Sequence, residues 1–268
     1  MCGRYTLTRQ DKLIEDLDAA LGESVQGEWW KPRFNVAPTQ PAPVVVASQD
    51  GKRLVEMMRW GLLPFWARAA EQRSAGPRPE GPQNSTARVP LAGSGKGGAR
   101  PPLMINARVE SLQDKPAFRD ALARKRCLVP ADGFFEWITV SPSARGLGKD
   151  KQPMYMHPEP RRTICFAGLW ARVRNDAGMV TSFTIITGPP NPLVAPIHDR
   201  MPVVLDPGAY AAWLEPGLDA SGARALLEIP SVGDWVAEAV STRVNNAKND
   251  DPGCIGPPEK PLDLFSGG

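Results

Sequence analysis

The chain has 268 residues, 42% of them hydrophobic, and a formal net charge of +3. It is long enough to bury a substantial core as one large domain or two small ones, and its mild basicity permits contact with phosphates without demanding it. No stretch approaches about 18 apolar residues. The N-terminal segment carries Arg4, Arg9, Asp11, Lys12, Glu15 and Asp16 in place of an apolar signal core, so a cytosolic or nuclear location and no membrane contact are expected.

The text opens "MCGRYTLT", with a cysteine directly behind the initiator methionine. Methionine aminopeptidase removes the first residue when the second is small, so the mature protein is expected to begin at Cys2, with a free α-amine and a thiol on one residue. The following segment "TRQDKLIEDLDAAL" spaces Leu13, Ile14, Leu17 and Leu21 as an amphipathic helix does, with Thr8 as its cap. Then come turn-bounded runs rich in β-branched and aromatic residues: "APVVVAS", "RLVEMMRWGLL", "RCLVPADGFFEW", "TICFAGLWARV", "SFTIIT" and "MPVVL". These predict strands. Helical patterns recur at "KPAFRDALARK" and "DPGAYAAWL" without a regular βαβ alternation. The expected fold class is therefore α+β, a curled, mostly antiparallel sheet with a barrel-like core and interspersed helices.

Residues 71–100 break the pattern, being dominated by Gly, Pro, Ser and Ala. They predict a disordered insertion in a single domain over 1–255, followed by a tail over 256–268. From Arg68 to Arg100 there are six basic residues against two acidic ones. That surplus fits either a solvated surface loop or an arm that touches nucleic-acid backbone.

The four cysteines are far apart and show no C-x-x-C pair, and His157 and His198 are the two histidines. Reduced thiols and no metal centre are expected. No phosphate-cradling glycine motif occurs, so a nucleotide cofactor has no support. Three segments carry polar residues that folding alone explains poorly. "GFFEW" sets Glu136 inside an aromatic strand, where burial would raise its pKa. "LMINARVES" groups Asn106, Arg108 and Glu110, and "APIHDRMPVVL" brings His198, Asp199 and Arg200 in succession. Taken singly, each also reads as a structural ion pair, a strand-end amide or a turn histidine.

Taken in order, the blocks "MCGRYTLT", "RFNVAPTQ", "RWGLLPFW", "INARVES", "RCLVPADGFFEW", "FAGLW", "TIIT", "IHDRMPVVL" and "VNNAKND" closely resemble the SOS response-associated peptidase family, also described as abasic-site processing proteins. The resemblance covers most of the chain from Met1 to about Asp251, while the insertion and the tail "EKPLDLFSGG" depart from the pattern. The strand-rich domain could work as a monomer, and the resemblance implies association with the nucleoid or nuclear DNA. Such a protein would bind single-stranded DNA at an abasic site and capture the ring-opened sugar through Cys2 as a thiazolidine, with secondary lyase chemistry.

By motif position, the resemblance makes Glu136 and His198 proton-transfer groups, and Asn106 a holder of the Cys2 site. Arg4 and Arg108 become phosphate contacts, and Asn35 and Thr187 polar pocket residues. Trp66, with Phe65, would stack on or wedge between bases, although simple core packing accounts for both equally well. A second reading makes Cys2 and His198 the nucleophile and base of an N-terminal-nucleophile peptidase or amidase, whose proteolysis could be confined to its own Met1. A third is a non-catalytic single-strand binder.

Overall fold

The structure, a computed structural model, describes residues 2–27, 29–64, 103–142, 149–175, 178–228 and 234–259. Phe65, Trp66, the expected 71–100 insertion and most of the tail lie outside the described residues. The first strands are β1 (Arg4–Leu7), β2 (Ala20–Leu21), β3 (Arg33–Val36), β4 (Pro41–Ala47), β5 (Arg53–Trp60) and β6 (Asn106–Arg108). After them come β7 (Arg126–Ala131), β8 (Gly133–Pro142), β9 (Lys149–Glu159), β10 (Ile164–Asn175) and β11 (Gly178–Gly188). The last are β12 (Met201–Pro202), β13 (Val204–Leu205) and β14 (Asp234–Ala239).

One sheet runs β14-β9-β8-β1-β3, and a second runs β12-β11-β10-β7-β4-β5-β2. The second closes on itself because β5 also pairs with β11, in parallel, at Ser182↔Arg59 and Phe183↔Trp60. β11, β10, β7, β4 and β5 thus form a five-stranded ring, which leaves no edge between them. At the seam Trp60 and Phe183 stack with centroids 6.3 Å apart. Tyr5 of the other sheet packs on Trp60 at 5.2 Å and on Phe166 at 6.0 Å, so both sheets share one core. Each such aromatic contributes roughly 2–3 kcal/mol by leaving water.

All six runs expected as strands form strands, and "RCLVPADGFFEW" divides into β7 and β8 at Asp132. Helices form at Pro116–Arg124 and Tyr210–Leu214, within the two later helical patterns. The first helix is shorter than its spacing predicts. A 3-10 turn at Gln10–Lys12 leads into Leu13–Leu17, and Asp18, at φ 46°, ends it. Leu21 lies on β2, half exposed, and Thr8 is not a cap: its hydroxyl donates to Asp132 instead. Tertiary pairing of β2 with β5 and a buried carboxylate outweigh the local helical pattern. Among the described residues no helix is long and apolar enough to cross a membrane.

Candidate active site

Cys2 leads into β1, which lies between β3 and β8. Asp132, at the bend between β7 and β8, fixes this strand. Its carboxylate accepts from the Thr6 hydroxyl, from the Thr8 hydroxyl at 2.6 Å and from the Arg9 N–H at 3.1 Å. Tyr155 joins through its phenol, 2.8 Å from the Thr6 hydroxyl. The bend requires glycine at position 133, because a Cβ there would overlap the Tyr155 ring.

β6 pairs in parallel with β11 at Ile185↔Asn106 and Thr187↔Arg108. That pairing delivers Asn106 to the start of the chain, where its Nδ2 donates to the Cys2 carbonyl at 2.8 Å. Cys2 is fully buried, and its Sγ approaches the Arg4 carbonyl oxygen at 3.6 Å. Burial first, and then the negative charge of Glu136, push the Cys2 thiol well above its ordinary value, so it rests protonated.

Glu136 is 2% exposed on β8, as "GFFEW" suggested, and burial pushes its carboxyl up to about 7. His198 reaches the same place from the turn before β12, with Nε2 3.9 Å from Glu136 Oε2. Its Nδ1 faces the Arg200 N–H at 3.0 Å and the Asp199 carboxylate at 2.9 Å. Burial lowers the His198 pKa, with Asp199 opposing the shift, so the imidazole is mostly neutral near pH 7. The pair therefore offers a carboxyl raised towards neutrality beside an imidazole lowered from its ordinary value, two groups able to carry protons.

The remaining expected residues divide by surroundings. Arg4 gives NH1 to Asn35 Oδ1 at 3.1 Å and to the Val244 carbonyl at 2.6 Å. Asn35 is fully buried, and its Nδ2 donates to the carbonyls of Val244, Asn246 and Asn249. Its amide thus clamps the "VNNAKND" segment beneath Arg4. Arg108 is exposed on β6 beside buried Thr187. Asn106 Oδ1 and Thr187 Oγ1 are buried without hydrogen-bond partners among the described residues, which suits a site built to receive a polar ligand.

Sequence reasoning missed part of the site. A cavity of about 410 Å³ is lined by Glu136, Trp137, Lys151, His198 and Asn245. Trp137 is held by its indole N–H, which donates to Asn245 Oδ1 at 2.7 Å. Trp137 adjoins Glu136 in "GFFEW", but only the β8–β9 pairing brings Lys151 there. Among the described residues no cluster of three or more His, Cys, Asp or Glu side chains could hold a metal ion.

The chain resembles known proteins along most of its length. The chain is 36% identical over 260 residues to the Bacillus subtilis protein named Abasic site processing protein YoqW, covering 95% of this chain and 99% of that one. It is 27% identical to the Xenopus tropicalis protein named Abasic site processing protein HMCES, over 84% of this chain and 66% of that one. A solved Bacteroides thetaiotaomicron structure shares the fold, with a TM-score of 0.70 and 23% identity over 96% of this chain and 99% of that one. A family model, SOS response associated peptidase (SRAP), matches residues 1–247, and the chain belongs to that family.

Proposed function

We propose that the protein processes abasic sites in single-stranded DNA by covalent capture of the open sugar on Cys2 once Met1 has been removed. The observation that carries this reading is the convergence on Cys2 of three groups from separate strands and turns. Asn106 holds its carbonyl at 2.8 Å, the nearby charge of Glu136 disfavours the thiolate, and His198 stands 3.9 Å from Glu136. The relatives named for abasic site processing support the substrate class.

The order of steps follows from proton affinities. An α-amine has a reference pKa of about 8, against about 10.4 for lysine, so a larger fraction is nucleophilic near neutral pH. The buried thiol rests neutral, so the amine adds first to the C1 aldehyde, giving a carbinolamine. Loss of water, with one proton delivered by Glu136 or His198, leaves a protonated imine. The thiol then adds to the same carbon while its proton passes to Glu136, closing a five-membered thiazolidine ring. Amine, aldehyde and thiol become ring plus one water. Holding the thiol and the imine on one residue is worth an effective molarity of about 10⁵ M or more. If the ring does not close, loss of a C2 proton expels the 3′ phosphate, which is lyase chemistry.

A Cys2–His198 hydrolase fits the site less well. Such a nucleophile needs a lowered thiol pKa, whereas burial and Glu136 raise that of Cys2. Intact-protein mass spectrometry before and after mixing with a single-stranded oligonucleotide carrying one abasic site tests the proposal, with an undamaged strand as control. The expected result is a starting mass without Met1 and a lesion-dependent adduct, stable without reductant, at the mass of protein plus DNA minus one water. A Met1-free protein that forms no adduct refutes it.

A further inference from the structure

Lys151 belongs to none of the family blocks in the sequence, yet it lines the same 410 Å³ cavity as Glu136 and His198. It sits near the start of β9, paired with Thr139 of β8, so the hairpin that carries Glu136 also carries this cation. Its side chain is exposed, and it forms no hydrogen bond or salt bridge among the described residues. Of the other cations near the site, Arg200 is paired with Glu110 and Arg4 with Asn35 and Val244, whereas Arg108 is exposed on β6. Trp137, fixed by Asn245, presents an aromatic wall beside it. An uncommitted ammonium, an aromatic wall and two proton carriers around one opening form a recognition set for a nucleotide with its phosphodiester.

We infer that Lys151 binds a phosphate of the strand beside the captured sugar. This rests on the capture reading and adds to it a binding residue that senses substrate. The titratable and charged groups facing Glu136 are His198, Asp199, Lys151 and the Cys2 thiol, joined in the mature protein by the new N-terminal amine that the proposal requires. Lys151 lowers the proton affinity of both Glu136 and His198, and Asp199 raises it. A phosphate seated on Lys151 cancels the ammonium's field, so proton affinity at both carriers rises as DNA arrives. Glu136 then takes up a proton when one is needed to expel water from the carbinolamine.

Two readouts separate this inference from the capture reading. The first is equilibrium binding of single-stranded DNA carrying a tetrahydrofuran abasic analogue, which has no aldehyde to capture, over a range of salt, followed by fluorescence anisotropy for wild type, Lys151→Gln and Lys151→Arg. Loss of one phosphate contact should reduce the slope of log affinity against log salt by about 0.7 for Lys151→Gln, with Lys151→Arg close to wild type. The second is carbon-detected NMR titration of the Glu136 carboxyl in free protein, whose midpoint should move upward in Lys151→Gln. An unchanged salt slope together with an unchanged Glu136 midpoint overturns the role of Lys151, even if wild type captures DNA normally. Absence of an adduct in wild type removes the capture reading alone, because neither readout requires the covalent step.

Discussion

Arg200 grips Glu110 with two parallel hydrogen bonds of 2.6 Å each, and its NH2 also reaches the Thr187 carbonyl at 3.3 Å. This fork ties the turn carrying His198 to the segment just after Arg108, so the proton carrier and the expected phosphate contact share one support. It also occupies Glu110, leaving the neighbouring Arg108 charge available to DNA. Arg200 holds the Glu110 carboxyl down at about 2. Because that value is depressed from 4.5, the pair's stabilisation is present above pH 4.5 and fades as pH falls through about 2. The Glu110 side chain is 50% exposed, so solvent screens the pair and its main effect is positional. Glu110→Gln should keep its melting temperature within a few degrees yet slow DNA capture about tenfold, since small misplacements of a reacting group are costly. Single-turnover gel assays of adduct formation measure this, and a wild-type rate would refute the positional role.

Replacing the Cys2 thiol separates the two halves of the proposed chemistry. Cys2→Ser keeps the amine and can still form an imine, but its hydroxyl is a far weaker nucleophile than sulfur. The stable adduct should disappear while strand cleavage at the abasic site persists or increases. Denaturing gels with and without borohydride trapping read both products. A fully stable crosslink from the serine variant contradicts ring closure by sulfur.

Glu136 carries a stability cost that reveals its environment. Its folded pKa of about 7 lies above the ordinary 4.5, so between these values the folded state binds more protons than the unfolded one, and stability falls as pH rises through that window. Glu136→Gln should remove this slope and stabilise the protein at pH 8 by on the order of 2 kcal/mol, while slowing capture by about 10²-fold or more. Denaturant melts at pH 5 and pH 8, paired with adduct rates, test both effects. A variant that melts earlier at pH 8 would show the carboxylate to be a stabilising partner instead.

Asp132 is the structural counterpart, a buried carboxylate whose partners are all donors on β1 and the turn after it. Asp132→Ala strands the Thr8 hydroxyl and N–H and the Arg9 N–H, leaves the Thr6 hydroxyl only Tyr155 and the Gly133 carbonyl, and should cost on the order of 3 kcal/mol in urea unfolding. A loss below about 0.5 kcal/mol would mean that water replaces the carboxylate without penalty.

Local pattern was sufficient wherever one short stretch carries the physics. β-branched and aromatic runs bounded by turns became β4, β5, β7, β8, β10 and β11, because such side chains fit a pleated, buried surface. A lone carboxylate in "GFFEW" already implied a perturbed acid, since burial penalises its charge whatever the fold. The small residue behind Met1 likewise identified Cys2 as the residue to watch. What depends on distant partners was not legible. Leu21 continued a helical spacing, but pairing of β2 with β5 drew it into a strand. Thr8 looked like a cap until Asp132, from the β7–β8 bend, claimed its hydroxyl. Arg200 could have been a ligand cation, and only the approach of Glu110, ninety positions away in sequence, committed it. Lys151 carried no motif and reached the Glu136 cavity through hairpin register. Sequence determined which groups can react and which segments can be buried, because those are properties of individual side chains and short runs. Tertiary structure decided which groups meet and which charges are spent, because those depend on strand register and on contacts between residues far apart in the chain.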